Sequence, residues 1–311
     1  MTLTTLLKSA ARNVVGVAAG LALTFAIVDG ATAQTAAPAV TPATGDGPAL
    51  WLIQDDDSRI WLFGTVHVLR PNTPWGSAKV DQALAEADKL VLEITNPDDQ
   101  AAAAPIIQQY GVSPQTPLSS LLTAEELAEL DTAARSLGAS AAQLDPLRPW
   151  LAGLTLSVAP IVAAGYDPQS GVDLVLRARA QADGKPVEGL ETLEGQIRML
   201  AGLSEETQLA FLRSAIRDYK EATTVLDGLV SAWAGGDVEG VEAIGVARMQ
   251  QESEELYDAL LTDRNRNWAD QIQSMLAGSG DVFIAVGAAH LAGDDSVQEI
   301  LEDRGVQAVR Q

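Results

Sequence analysis

The chain has 311 residues, 42 Asp and Glu against 20 Lys and Arg, a net charge of −22, no cysteine and two histidines. That acid excess excludes a nucleic-acid binder, which needs Lys and Arg to neutralise phosphates, and opposes binding to an anionic membrane surface. Without cysteine there are no disulfides, thiolate nucleophiles, Cys-ligated zinc or iron–sulfur clusters, so stability must come from a core, and the chain is long enough to build one.

In chain order, Lys8 and Arg12 precede an apolar run from Val14 to Val28, and Ala31-Thr32-Ala33 supplies an A-x-A cleavage signal. Residues 1–33 therefore read as a secretory signal peptide. The run is shorter than the about 20 residues a membrane span needs, and a retained N-terminal anchor is the alternative. Export to the periplasm or beyond follows, with no stable membrane association after cleavage. Residues 34–48, rich in Ala, Pro, Thr and Gly, read as a disordered linker.

The remaining domain, 49–311, opens with two strands, Ala49–Gln54 and Arg59–Gly64, around the polar turn Asp55-Asp56-Asp57-Ser58. A helix over Trp75–Ala87 leads to a short buried strand, Lys89–Ile94, a pattern that builds parallel pairing. From about 101 to 278 the text is helical. Thr123-Ala124-Glu125-Glu126 forms a capping box and Gly138 a stop. Further helices are expected over Leu147–Ala164, Gly171–Ala182, Leu193–Gly202, Ser204–Trp233, Val238–Met249 and Leu256–Ala277, with a strand-like piece at Lys185–Leu190. The chain then returns to β over Val282–Gly287, a helix near Ser296–Arg304 and Val306–Val309. The expected fold class is α+β, a small mixed β-sheet made by the N- and C-terminal segments with a long helical insertion.

Both histidines end a Gly-x-x-His that follows an apolar strand: Gly64-Thr65-Val66-His67 and Gly287-Ala288-Ala289-His290. A lone histidine after a strand is ordinarily a core or capping residue, but a matched pair flanking one insertion is expected to converge. Each Gly is expected to form a tight turn and allow close backbone approach. Ligands gather beyond the carboxyl ends of parallel strands, and Glu93 ends the next apolar strand on the same rim. Two imidazoles and a carboxylate suit a divalent metal with an open position for water, hence hydrolase chemistry. His67 as a metal-free general base oriented by Glu93 is the alternative, and a non-catalytic binding or sequestering module is a third. Glu191 is either an N-cap or a site carboxylate. Arg264 reads by default as a helix-surface residue that could instead steady a carboxylate or an oxyanion, beside Asn265. Asp294 and Asp295 are expected to cap the last helix. No G-x-S-x-G, P-loop or GxGxxG stands in a suitable setting.

These motifs resemble the TraB/PrgY/GumN family, bacterial relatives of the Tiki proteases. The likeness rests on Leu62–Leu69, Val91–Ile94, Gly189-Leu190-Glu191-Thr192 with Gln196, Arg264–Trp268 and Val286–Val297. Leu291-Ala292-Gly293 stands where Leu-Pro-Gly is common. The resemblance implies a fold related to the erythromycin-esterase and ChaN-like group. It also implies a metal-dependent hydrolase, peptidase-like, acting on a peptide or small-molecule substrate with manganese or cobalt favoured; zinc is a further candidate. By position His67, Glu93 and His290 would hold the metal, and Glu191, Arg264 and Asn265 would support catalysis, with Glu191 as proton shuttle or orienter of a histidine.

Overall fold

A computed structural model describes residues 40–311; the expected signal peptide and residues 34–39 of the linker lie outside the described residues. The α+β expectation holds. The strands are β1 (Leu50–Gln54), β2 (Ser58–Thr65), β3 (Lys89–Leu92), β4 (Val187–Gly189), β5 (Gly280–Gly287) and β6 (Val309–Arg310). They form one mixed sheet in the order β4-β3-β5-β2-β1-β6. β4, β3, β5 and β2 run parallel, while β1 is antiparallel to both β2 and β6. The terminal segments thus interleave, with β5 inserted between β2 and β3.

Among the described residues, ten helices of seven residues or more surround the sheet: α1 (Ala78–Glu86), α2 (Gln100–Tyr110), α3 (Ala124–Ser136), α4 (Pro149–Ala163), α5 (Val172–Ala182), α6 (Leu193–Gly202), α7 (Glu205–Asp218), α8 (Ala222–Ala234), α9 (Asp263–Leu276) and α10 (Val297–Asp303). Strand periodicity divides the core. Trp61, Phe63, Leu90, Leu92 and Phe283 face the helical block, whereas Ile60, Leu62, Val91, Val282 and Ile284 face Trp268 and Ile272 of α9 and Leu301 of α10. Burying each of these large side chains contributes about 1.5–3 kcal/mol. None of the described helices is long and apolar enough to cross a membrane.

The Thr123–Glu126 capping box forms as expected. The continuous helix expected over Ser204–Trp233 instead breaks into α7 and α8 at Tyr219–Glu221, where no Gly or Pro marks the stop. Packing of both halves against α4 sets that break. Val238–Met249 is interrupted by a π-helical turn at Glu242–Val246, and a second such turn, Asp258–Thr262, runs into α9. The linker expectation needs correcting over its last residues: Thr41 O accepts from the N–H groups of Trp75 and Gly76, and Pro48 is buried. A Pro/Gly-rich segment still offers carbonyls to a loop that needs acceptors.

Candidate functional site

The parallel register brings the two Gly-x-x-His corners together. Gly64 pairs with Val286 and Thr65 with Gly287, so both chains leave the sheet at the same rim. Leu92 pairs with Ala285, which places Glu93 one step further along on the other side of β5. The motif glycines lie within the strands, not in tight turns, but close approach is borne out. A Cβ on Gly64 would sit 3.1 Å from Ala288 Cα of the opposite corner. The indole N–H of Trp233 in α8 donates to Gly64 O at 2.7 Å, tying the helical block to the first corner.

Glu93 is 1% exposed and heavily ligated. Its Oε1 accepts from the Gly287 N–H at 2.7 Å, and its Oε2 from Arg264 Nη2 at 2.6 Å and Gln196 Nε2 at 3.1 Å. The Nε2 atoms of His67 and His290 each lie 3.8 Å from Glu93 Oε1. The sequence-predicted trio therefore converges on one carboxylate oxygen.

Arg264 is a correction to the helix-surface default, for its side chain is 6% exposed. It donates from Nε to Glu191 Oε1 at 2.9 Å, from Nη2 to Glu191 Oε2 at 3.0 Å, and from Nη1 to Leu260 O at 3.1 Å. Burial works against its charge, but Glu93 and Glu191 outweigh that and hold its pKa above the ordinary value. Glu191 also accepts from Trp268 Nε1 at 2.9 Å and Gln196 Nε2 at 3.0 Å, while Thr192, not Glu191, caps α6. Arg264 thus joins the two carboxylates that the sequence places near the site.

The hydrogen-bond partners distinguish the histidines. Arg264 Nη1 lies 3.0 Å from His290 Nε2, and a guanidinium can only donate, so Nε2 is the acceptor. The proton then sits on Nδ1, 2.5 Å from Asn265 Oδ1. Asn265 donates in turn to Asp295 O at 2.7 Å, and Asp295 accepts from the Tyr257 hydroxyl. Ser296, not Asp294 or Asp295, is the N-cap of α10. His290 packs against Trp268 at a tilt, with centroids 4.3 Å apart and ring planes 44° apart.

His67 faces a residue not singled out from the sequence. Its Nδ1 is 2.6 Å from Asp173 Oδ2 on α5, and Thr65 Oγ1 donates to the other oxygen, Asp173 Oδ1, at 2.7 Å. Burial pulls the His67 pKa down, but the Asp173 carboxylate more than reverses this and pushes it up to about 9. Burial pushes Asp173 up; the facing imidazole and the Thr65 hydroxyl hold it below the usual carboxylate range. His67 Nε2 is buried without a hydrogen-bond partner.

The decisive observation is distributional. Among the described residues, every buried His, Asp, Glu, Lys or Arg (His67, Glu93, Asp173, Arg264 and His290) belongs to this one cluster. Buried charges are costly and rarely persist unless paired or used. Residues 49–310 match the TraB/PrgY/gumN family. The chain belongs to that family. Relatives include the uncharacterized protein YbaP of Escherichia coli (strain K12), 24% identical over 256 residues that cover 82% of this chain and 92% of YbaP. An uncharacterized protein of Treponema pallidum (strain Nichols) is 22% identical over 270 residues, covering 82% of this chain and 80% of its own. No solved structure gives a significant match.

For a metal, the donor types are suitable but the donors are already engaged. Two ligands bound to one ion at about 2.0–2.1 Å lie about 3 to 4 Å apart, and the 3.8 Å from Glu93 Oε1 to each imidazole falls at the wide end of that span. Arg264 already holds His290 Nε2 and Glu93 Oε2. Among the described residues no three His, Cys, Asp or Glu side chains are gathered to hold one ion. As arranged, the residues fit a guanidinium, not a three-ligand ion.

Proposed function

We propose that this chain is an exported hydrolase of acyl bonds, acting on peptides or small esters and amides. Export rests on the signal-like residues 1–33. The observation that carries the hydrolase reading is the buried, unpartnered His67 Nε2, backed by a carboxylate and set beside Glu93 and Arg264. Above about pH 9, where His67 is neutral, Nδ1 donates to Asp173 and the imidazole presents its Nε2 lone pair to a water. It accepts the proton as the water attacks the acyl carbonyl and returns it to the leaving group, so turnover should rise with pH through about 9. Arg264 contributes the buried positive charge that favours the oxyanion, with Glu93 and Glu191 fixing its plane. Asn265 and Trp268 hold His290 against that guanidinium. Glu93, accepting three hydrogen bonds, anchors the cation; the carboxylate that orients His67 is Asp173, at 2.6 Å against 3.8 Å. Family membership supports kinship with the erythromycin-esterase and ChaN-like group as part of this reading.

A metal-dependent peptidase is the second reading, favoured by the unpartnered His67 Nε2 and by the excess of carboxylates, Glu93, Glu191 and Asp173, over one guanidinium. Hydrolysis of p-nitrophenyl esters and quenched fluorescent peptides, with and without chelator, tests both. Chelator-resistant turnover lost in His67→Ala supports the leading proposal. Calorimetric binding of Mn²⁺, Co²⁺ or Zn²⁺ that is lost in His67→Ala, with chelator-sensitive turnover, selects the second. Turnover unchanged in His67→Ala sinks both.

A further inference from the structure

We infer that Asp173, with Thr65 and Gly171, is a positioning module that holds His67 as its Nδ1–H tautomer and so makes it the reactive member of the histidine pair. The hydrolase reading gives this its catalytic consequence; the positioning itself stands on geometry. Three observations carry it.

Gly171, directly before α5, meets the first corner at its backbone: a Cβ there would fall 2.2 Å from His67 O. No side chain fits, so only glycine lets the start of α5 dock against residues 66 and 67, and Val172 N donates to Val66 O at 3.0 Å. That docking aims Asp173 at the imidazole.

Asp173 is buried, and each of its oxygens has one partner: Oδ1 takes the Thr65 hydroxyl and Oδ2 takes His67. A carboxylate accepting from Nδ1–H fixes both the ring plane and the tautomer, leaving the lone pair on Nε2. Free histidine prefers the opposite form, with the proton on Nε2, so the module works against an intrinsic bias.

The second corner uses the same tautomer for a different end. His290 is backed by the neutral amide of Asn265, and its Nε2 lone pair is committed to Arg264. The two Gly-x-x-His motifs are therefore not interchangeable: one histidine presents its lone pair, and the other spends it on a guanidinium.

With only two histidines in the chain, long-range ¹H–¹⁵N spectra resolve all four ring nitrogens. They are recorded at about pH 10, above the value of about 9 at which His67 loses its proton. In the wild type both rings are expected to show a protonated Nδ1 and an unprotonated Nε2. In Asp173→Ala, His67 is expected to revert to the Nε2–H form while His290 is unchanged, and kcat for ester hydrolysis falls about 10²-fold or more with KM little moved. Asp173→Leu, apolar and branched at the same carbon as the carboxylate, gives the same reading should the alanine variant fail to fold, and the unchanged His290 pattern reports an intact site. An Nε2–H proton on His67 in the wild type, or an unaltered His67 tautomer in a variant whose His290 signals persist, overturns the inference. Tautomers as expected together with unimpaired hydrolysis in His67→Ala leave the positioning intact and remove the hydrolase reading instead.

Discussion

The rim of the sheet and the interior of the helical block solve opposite problems. The block is built from apolar faces and tolerates empty space. A cavity of about 190 Å³ lies between α4, α7, α8 and the two π-helical turns, lined by Ile161, Phe211, Leu226, Leu229, Ile244 and Met249 among others. The rim collects the buried His, Asp, Glu and Arg side chains of the described residues and hydrogen-bonds nearly all of their polar atoms. A void is often the first place to look for a ligand, but here convergent polar groups and the void are separate. Leu260 joins them, lining the cavity and accepting from Arg264 with its carbonyl. The block contributes stability and position, while the rim, on the proposed reading, spends stability on chemistry.

That division predicts different losses from the two regions. The largest falls on activity: His67→Ala should cut hydrolysis about 10²–10⁴-fold while the protein stays folded, checked by turnover alongside circular dichroism. Next, Arg264→Leu leaves Glu93 and Glu191 facing each other without a cation, so urea denaturation should show a loss of about 3–5 kcal/mol. A stability change below 1 kcal/mol there would mean that the carboxylates do not depend on Arg264.

In the block, Leu156 of α4 is 0% exposed. Leu156→Ala should cost about 2–5 kcal/mol in the same denaturation experiment, with turnover per folded molecule unchanged. A loss of turnover at constant fold would break the separation of the two regions. At the periphery, Thr123→Ala removes the hydroxyl arm of the α3 capping box, leaving Glu126 on the backbone N–H of residue 123, and should cost about 1 kcal/mol with no effect on hydrolysis. Smallest and opposite in sign, Ala215→Val adds two methyl groups beside the cavity and should stabilise by up to about 1 kcal/mol. Destabilisation would show that this wall has no slack.

Much of the rim was legible in the sequence because its logic is local. Gly-x-x-His after an apolar run, twice, and a glutamate ending the intervening strand predict convergence once the strands are parallel. Glu191, Arg264 and Asn265 came from the family motifs, and the structure brings all of them to the same cluster. Asp173 was not legible: an Asp in the first turn of a helix reads as ordinary dipole complement. Its partner His67 lies 106 positions away. The available signal was Gly171, a glycine opening a helix where a capping side chain is usual. The break between α7 and α8 and the π turns escaped for a related reason, since no Gly, Pro or cap marks them and tertiary packing decides them. The edges of the fold followed pattern more closely, although β6 is Val309–Arg310 instead of the expected Val306–Val309.

The central claim is that the buried charges of the rim are retained for chemistry and not for folding. Replacing a buried ionic pair by apolar residues of similar size is often neutral or stabilising. The direct test is the double variant His67→Leu/Asp173→Leu, with thermal midpoint and hydrolysis rate measured on the same preparation. The midpoint should hold or rise while hydrolysis falls to background. A collapsed midpoint, or hydrolysis that survives, would contradict the account.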